Sequence, residues 1–164
     1  MAMVYELARR AANDVRVHWV GHTDALTFES LQAIAAAMGA SVYRVGLDAG
    51  KSGFIIKYVG SRPRIYINKN ESKERQLFTL AHELGHLWER REVAGDEEYS
   101  FVDNRNGEKN LHEFFADEFA GALLLPEEIF ANGDVADVDY IAELYGVSPA
   151  AVQERHRRLQ VHPA

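Results

Sequence analysis

Apolar residues recur at three- and four-residue steps over 4–18 (Leu7, Ala8, Ala11, Ala12, Val15) and 27–38 (Phe28, Leu31, Ile34, Ala35, Met38), which predicts two amphipathic helices, the second closed by Gly39. The period then changes. Three runs, 41–47, 54–59 and 64–68, are rich in β-branched and aromatic residues and are separated by Asp48-Ala49-Gly50 and Gly60-Ser61-Arg62-Pro63. Runs of this kind between turn residues predict a small three-stranded antiparallel sheet packed on the helices. Helical spacing returns over 73–91 and 111–125, where Pro126 stops it, and again over 138–145 and 149–159, around Gly146-Val147-Ser148. The polar stretch 93–110, with Gly95, Gly107 and Asn104-Arg105-Asn106, exceeds a minimal connection, as functional or mobile loops do. The whole reads as an α+β domain over 1–126, with a C-terminal helical segment, 127–164, packed on it.

Composition narrows the chemistry. At 164 residues, 47% apolar and 26% charged, the chain has the makings of one globular domain, with room for a small appendage. Zero cysteines exclude disulfides, a thiol nucleophile and every cysteine-containing metal site, so a metal would fall to nitrogen and oxygen ligands, and seven histidines are on hand. No signal-peptide pattern or membrane-length apolar run is present, so the expectation is a cytoplasmic protein without a membrane partner. The net charge of −7 argues against a primary nucleic-acid binder. That charge is concentrated: Glu92 to Glu143 holds 15 acidic and 2 basic side chains. Such a half is either a solvated face or an attractor for a basic partner.

The informative segment is Phe78-Thr79-Leu80-Ala81-His82-Glu83-Leu84-Gly85-His86-Leu87-Trp88. Residues four apart share a helix face, so His82 and His86 can present ring nitrogens to one Zn²⁺. Glu83 sits about 100° round the helix, close enough to act on a water there without being forced to ligate. Leu77, Leu80, Ala81, Leu84, Leu87 and Trp88 make this a core helix, in which two histidines and a carboxylate need partners. Gly85 between them predicts the close approach of another element.

A third ligand must come from elsewhere. Metzincins place Gly and His three and six residues beyond the second histidine, where this chain has Glu89 and Glu92, so that pattern fails. The better source is Leu111-His112-Glu113-Phe114-Phe115-Ala116-Asp117-Glu118. Glu113 and Asp117 are one turn apart on one face, opposite the phenylalanines, which suits a carboxylate ligand followed by an acid that accepts a hydrogen bond from the outer nitrogen of a ligating histidine. Glu113 is thus expected as third ligand and Asp117 as its support. His112 is a rival ligand, pointing roughly 100° away from Glu113.

These residues resemble the ImmA/IrrE metallopeptidases. The resemblance rests on Ile65-Tyr66-Ile67-Asn68, on Phe78 to His86, and on Glu113, Ala116-Asp117, Phe119-Ala120 and Leu123-Leu124-Leu125-Pro126. It spans about 30–126 and, more loosely, the C-terminal helices. It implies a zincin-like core that is gluzincin-like at the metal, of the compact phage or mobile-element type, and cleavage of a helix-turn-helix repressor that controls phage, mobile-element or stress-response genes.

The expected function is therefore metal-dependent hydrolysis of a peptide bond in a specific, basic repressor, with Glu83 taking a proton from water and passing it to the leaving amine. Two imidazoles and a carboxylate suit Zn²⁺ best, with Mn²⁺ also possible. Tyr66, Asn68, Tyr99 and His112 are candidates for contacting substrate, and Tyr66, Tyr99 and His112 also for steadying the oxyanion. The alternative is a non-catalytic, metal-stabilised regulator that binds repressor or DNA through the C-terminal helices. Residues 141–153 read as a helix-turn-helix followed by Arg155, Arg157 and Arg158. Two further expectations concern substrate. The 64–68 strand, if at an edge, could pair with an extended peptide. The 93–110 segment, with Asp96, Glu97 and Glu98, could act as an acidic lid over the site.

Overall fold

The computed structural model describes residues 2–21, 23–93, 98–104, 110–132 and 137–163. The helices are α1 (Ala2–Trp19), α2 (Phe28–Ala37), α3 (Lys73–Val93), α4 (Leu111–Leu124), α5 (Val138–Tyr145) and α6 (Pro149–Val161). The strands are β1 (Ser41–Val45), β2 (Lys51–Lys57), β3 (Arg64–Asn68) and β4 (Tyr99–Asn104). The mixed α+β class matches the hydrophobic pattern. Among the described residues no helix is long and apolar enough to cross a membrane.

The sheet corrects the sequence reading. Among the described residues it has four strands in the order β1-β3-β2-β4, with β3 parallel to β1 and antiparallel to β2, and β2 antiparallel to β4. Asp48-Ala49-Gly50 contains the expected turn, with Gly50 at φ 88°, but the connection carries β2 past β3 instead of beside β1. Asn68 holds that connection: its Oδ1 accepts from Leu47 N at 3.2 Å and its Nδ2 donates to Lys51 O at 2.8 Å. Strand β4 was hidden because Tyr99-Ser100-Phe101-Val102 is one brief apolar alternation inside a polar stretch. Since β3 is bonded on both sides, it offers no free edge, and the expectation that a peptide pairs with it is overturned. Of the acidic lid, 99–104 is strand, Glu98 is exposed, and Asp96 and Glu97 lie outside the described residues.

Ile55, Ile65 and Ile67 point inward from the sheet and are fully buried, while Tyr43, Tyr66 and Phe54 stand on the outer face, their rings stacked in a row at centroid spacings of 5.3 and 4.7 Å. Helix α3 runs through the core. Leu80, Ala81 and Leu84 are completely buried, and each leucine contributes about 1.5–3 kcal/mol by leaving water. Beside it lies α4, which packs on α1 as well. The two helices meet almost backbone to backbone, because a Cβ on Gly85 would stand 2.9 Å from Ala116 Cα. The close approach expected of Gly85 is thus that of α4.

Candidate metal centre

The convergence of α3 and α4 sets the geometry of the site. His82 and His86, one turn apart on α3, point their Nε2 atoms at one another across 3.1 Å. Asn110 caps α4 by accepting from Glu113 N at 3.1 Å, which fixes the first turn of α4 and places Glu113 over that gap. Glu113 Oε2 is 3.2 Å from His82 Nε2, and Oε1 is 3.1 Å from His86 Nε2. Behind His82, Asp117 Oδ1 lies 2.9 Å from Nδ1, so Nδ1 carries the hydrogen and Nε2 is left facing the gap.

This donor set fits a metal. One ligand atom from each of His82, His86 and Glu113 falls within 4.8 Å of the others, a group able to hold an ion. Two donors bound to zinc at tetrahedral angles stand roughly 3.3 Å apart, close to the separations seen. Without a cation, two nearly buried imidazoles and a carboxylate must share protons instead. Burial pulls the His82 imidazolium down, but hydrogen bonds with Asp117 and Glu113 outweigh it and raise the pKa to about 10. His86 goes the other way. Burial lowers it, and neighbouring His82 lowers it further, against the pull of Glu113. Burial would raise Glu113, yet its hydrogen bonds to both histidines hold it well below the usual carboxylate range. Glu83 is wholly buried on α3, and its charge helps to raise His82.

The other residues singled out in the sequence lie apart from this cluster. Tyr66 stands on the outer face of the sheet, stacked between Tyr43 and Phe54, because it alternates with the inward Ile65 and Ile67. Asn68 borders the cleft described below, but both ends of its amide are engaged with Leu47, Lys51 and Asn70. Tyr99 lies by Arg90, with its hydroxyl pushed up to about 12 by burial. His112 turns to Glu89, with Nδ1 2.9 Å from its carboxylate, rather than to the Glu113 side.

A cleft of about 1080 Å³ opens onto His82, Glu113 and Asp117. One wall is a stripe of α3, Glu74, Phe78 and His82. The other is built by Gly121 of α4 and the start of α6, Ala150 and Ala151. Ser148 caps α6 by accepting from Ala151 N at 3.1 Å, and Pro149 fills its first turn. A buried charge cluster holds α6 there. Glu118, 1% exposed, takes Arg9 Nε at 2.6 Å, Arg155 Nη1 at 2.7 Å and Arg158 Nη1 at 3.1 Å. Two of the three arginines that suggested DNA contact are therefore turned into the protein, and Arg157 pairs with Glu154 at 2.8 Å. Glu118, and the inward role of Arg155, escaped the sequence reading, although a signal existed. Each is a charge within an apolar stripe, Phe115-Glu118-Phe119-Ala122 and Val152-Arg155-Leu159.

Among curated proteins none matches the chain significantly. Residues 36–157, which include both helices of the candidate site and most of α6, match the model of the IrrE N-terminal-like peptidase domain, and the chain belongs to that ImmA/IrrE metallopeptidase family.

Proposed function

We propose that the protein is a metal-dependent endopeptidase that cuts one peptide bond in a specific protein. The carrying observation is the convergence of His82 Nε2, His86 Nε2 and both Glu113 oxygens on one point, with Asp117 behind His82. His82, His86 and Glu113 would hold the ion, Zn²⁺ by preference for this donor set, with Mn²⁺ the second choice. The ion supplies Lewis-acid polarisation of the scissile carbonyl and acidifies water. The chain supplies the rest. Glu83 takes the proton from attacking water and returns it to the leaving amine, Asp117 keeps the His82 hydrogen on Nδ1, and the cleft holds the peptide in line.

The substrate we favour is a basic, helix-turn-helix transcriptional repressor of phage, mobile-element or stress-response genes. Its support is family membership, together with the 15 acidic against 2 basic side chains between Glu92 and Glu143, a field that draws a positively charged protein. In this reading residues 127–164 serve domain 1–126 as a cleft wall rather than as a DNA reader, an assignment supported by the inward Arg155 and Arg158. The work is placed in the cytoplasm, where such repressors act. The test is a Glu83→Gln protein loaded with metal and incubated with a small helix-turn-helix repressor. It is expected to hold one metal ion by elemental analysis and to yield no fragments, whereas the unmodified chain gives two. Cleavage at the wild-type rate by the variant would sink the role of Glu83.

A further inference from the structure

Two helical glycines lie close to the site, and they differ in what they are for. At Gly85 a side chain is excluded, since a Cβ there would press on Ala116 backbone atoms at 2.9 and 3.3 Å. At Gly121 a Cβ would meet Arg155 Cδ at 3.6 Å, an ordinary contact. Packing does not demand a glycine at 121, and glycine is disfavoured inside a helix relative to alanine. What its missing side chain does leave is space in the cleft, which Gly121 lines.

The charged side chains that line the cleft there are paired with one another, Glu118 with Arg155 and Arg158 and Glu154 with Arg158, and apolar residues make up the rest of that lining. Helices α3 and α4 face each other so that Asp117 meets His82, and one turn further from Glu113 the facing positions become Phe78 on α3 and Gly121 on α4. Val147, Ala150 and Ala151, from the α5–α6 turn and the start of α6, line the same cleft. Phe78 is half-buried, with its ring left partly open toward the cleft. A phenyl ring and small side chains around a gap left by glycine make a socket beside the ligand-bearing His82. With the neighbouring charges already engaged in ion pairs, its chemistry disfavours a charged side chain and leaves room for a large apolar one.

We propose that Phe78, Gly121, Val147, Ala150 and Ala151 form a specificity socket that takes a bulky aliphatic or aromatic side chain of the bound peptide, with Gly121 setting its depth. The inference rests on the peptidase reading for the identity of the ligand as a peptide; the socket itself is tested without cleavage. N-acetyl amides of leucine, phenylalanine, alanine and glutamate are titrated separately into the isotope-labelled, metal-free full chain, and the Phe78 ring and Ala150 and Ala151 methyl signals are followed. The leucine and phenylalanine compounds are expected to shift these signals at concentrations about tenfold or more below the other two. Gly121→Leu fills the gap, and Ala151→Leu fills it from a half-exposed position whose folding a thermal melt verifies. In both variants the discrimination is expected to fall below about threefold. Equal binding of all four compounds, or a preference unchanged in both variants, overturns the socket. An unmodified chain that cuts no repressor while the titration succeeds would count against the peptidase reading and leave the socket standing.

Discussion

Asp117 Oδ1 and His82 Nδ1 stand 2.9 Å apart, and the opposite ring nitrogen of the same histidine faces Glu113. One carboxylate thus chooses the tautomer while another, one turn earlier on the same helix, faces the ring's other nitrogen. Replacing Asp117 with alanine leaves Nδ1–H without its acceptor and frees the ring to turn. Metal affinity is expected to fall by about 10–100-fold, measured by competition with a chelating dye, while Asp117→Asn, which keeps an acceptor oxygen, loses less. Equal affinity for all three proteins would mean that Asp117 does not orient the ring.

Protonation of the cluster gives a second expectation. In the metal-free chain the His82 pKa is raised from 6.5 to about 10, so its contribution to stability is full below 6.5 and is lost as pH rises through about 10. Glu113 is depressed, so its contribution is present above 4.5 and is lost as pH falls below that value. His86 is also depressed, which favours its neutral ring and removes stability as pH drops below 6.5. Melting temperature measured in chelator is therefore expected to peak near neutrality and to decline between pH 7 and about 10. A metal ion must displace the His82 proton, so its apparent affinity climbs with pH, by up to about tenfold per unit. Melting curves with and without metal, across that range, should diverge increasingly toward high pH. Parallel curves would contradict the proton count.

How much of this could be read from the chain divides along physical lines. Each half of the candidate site was legible because His82 with His86, and Glu113 with Asp117, are related by helical spacing, which local sequence encodes; that α3 and α4 meet there is a tertiary contact that no spacing records. The helix starts expected at 111 and 149 are where Asn110 and Ser148 cap α4 and α6, each through a contact three positions away. The sheet order was not. Whether β2 pairs with β1 or passes it depends on contacts such as Asn68 to Lys51, 17 residues apart, which no periodicity records. Tyr66 and Tyr99 were chosen by residue type, and type says nothing of the face on which a strand presents a side chain. Glu118 was passed over because a lone acid beside Asp117 looks like a solvated one until three arginines from two other helices are brought to it.

That cluster is expected to govern the stability of the whole. Glu118 is 1% exposed, and the side chains of Arg155, Arg9 and Arg158 are only 3%, 11% and 14% exposed, so these charges have little water to return to. Glu118→Gln leaves three partly or fully buried guanidiniums facing one another and is expected to cost about 3–5 kcal/mol, read by urea unfolding. Replacing Glu118 and Arg155 together, by Leu and Met, removes both the acid and the most buried cation and is expected to recover part of the loss. If the single variant unfolds at the wild-type urea midpoint, the cluster does not hold α6 in place.

The two helical glycines near the site should respond in opposite senses to the same substitution. Gly85→Ala gains helix propensity worth up to about 1 kcal/mol, but its Cβ would lie 2.9 Å from Ala116 Cα and 3.2 Å from Phe119 Cδ1, so α3 and α4 must move apart. Overpacking of this kind costs about 1–3 kcal/mol, and the net effect is expected to be destabilising. Separation of these helices also moves His82 and His86 on α3 away from Glu113 on α4, so metal affinity should fall with stability. Gly121→Ala meets an ordinary contact, keeps the propensity gain, and is expected to raise the melting temperature with metal affinity unchanged. Thermal melts and metal titrations of the two variants side by side check both. A stabilised Gly85→Ala protein that binds metal normally would show that the helix contact tolerates a methyl group and that the distance between α3 and α4 is set elsewhere.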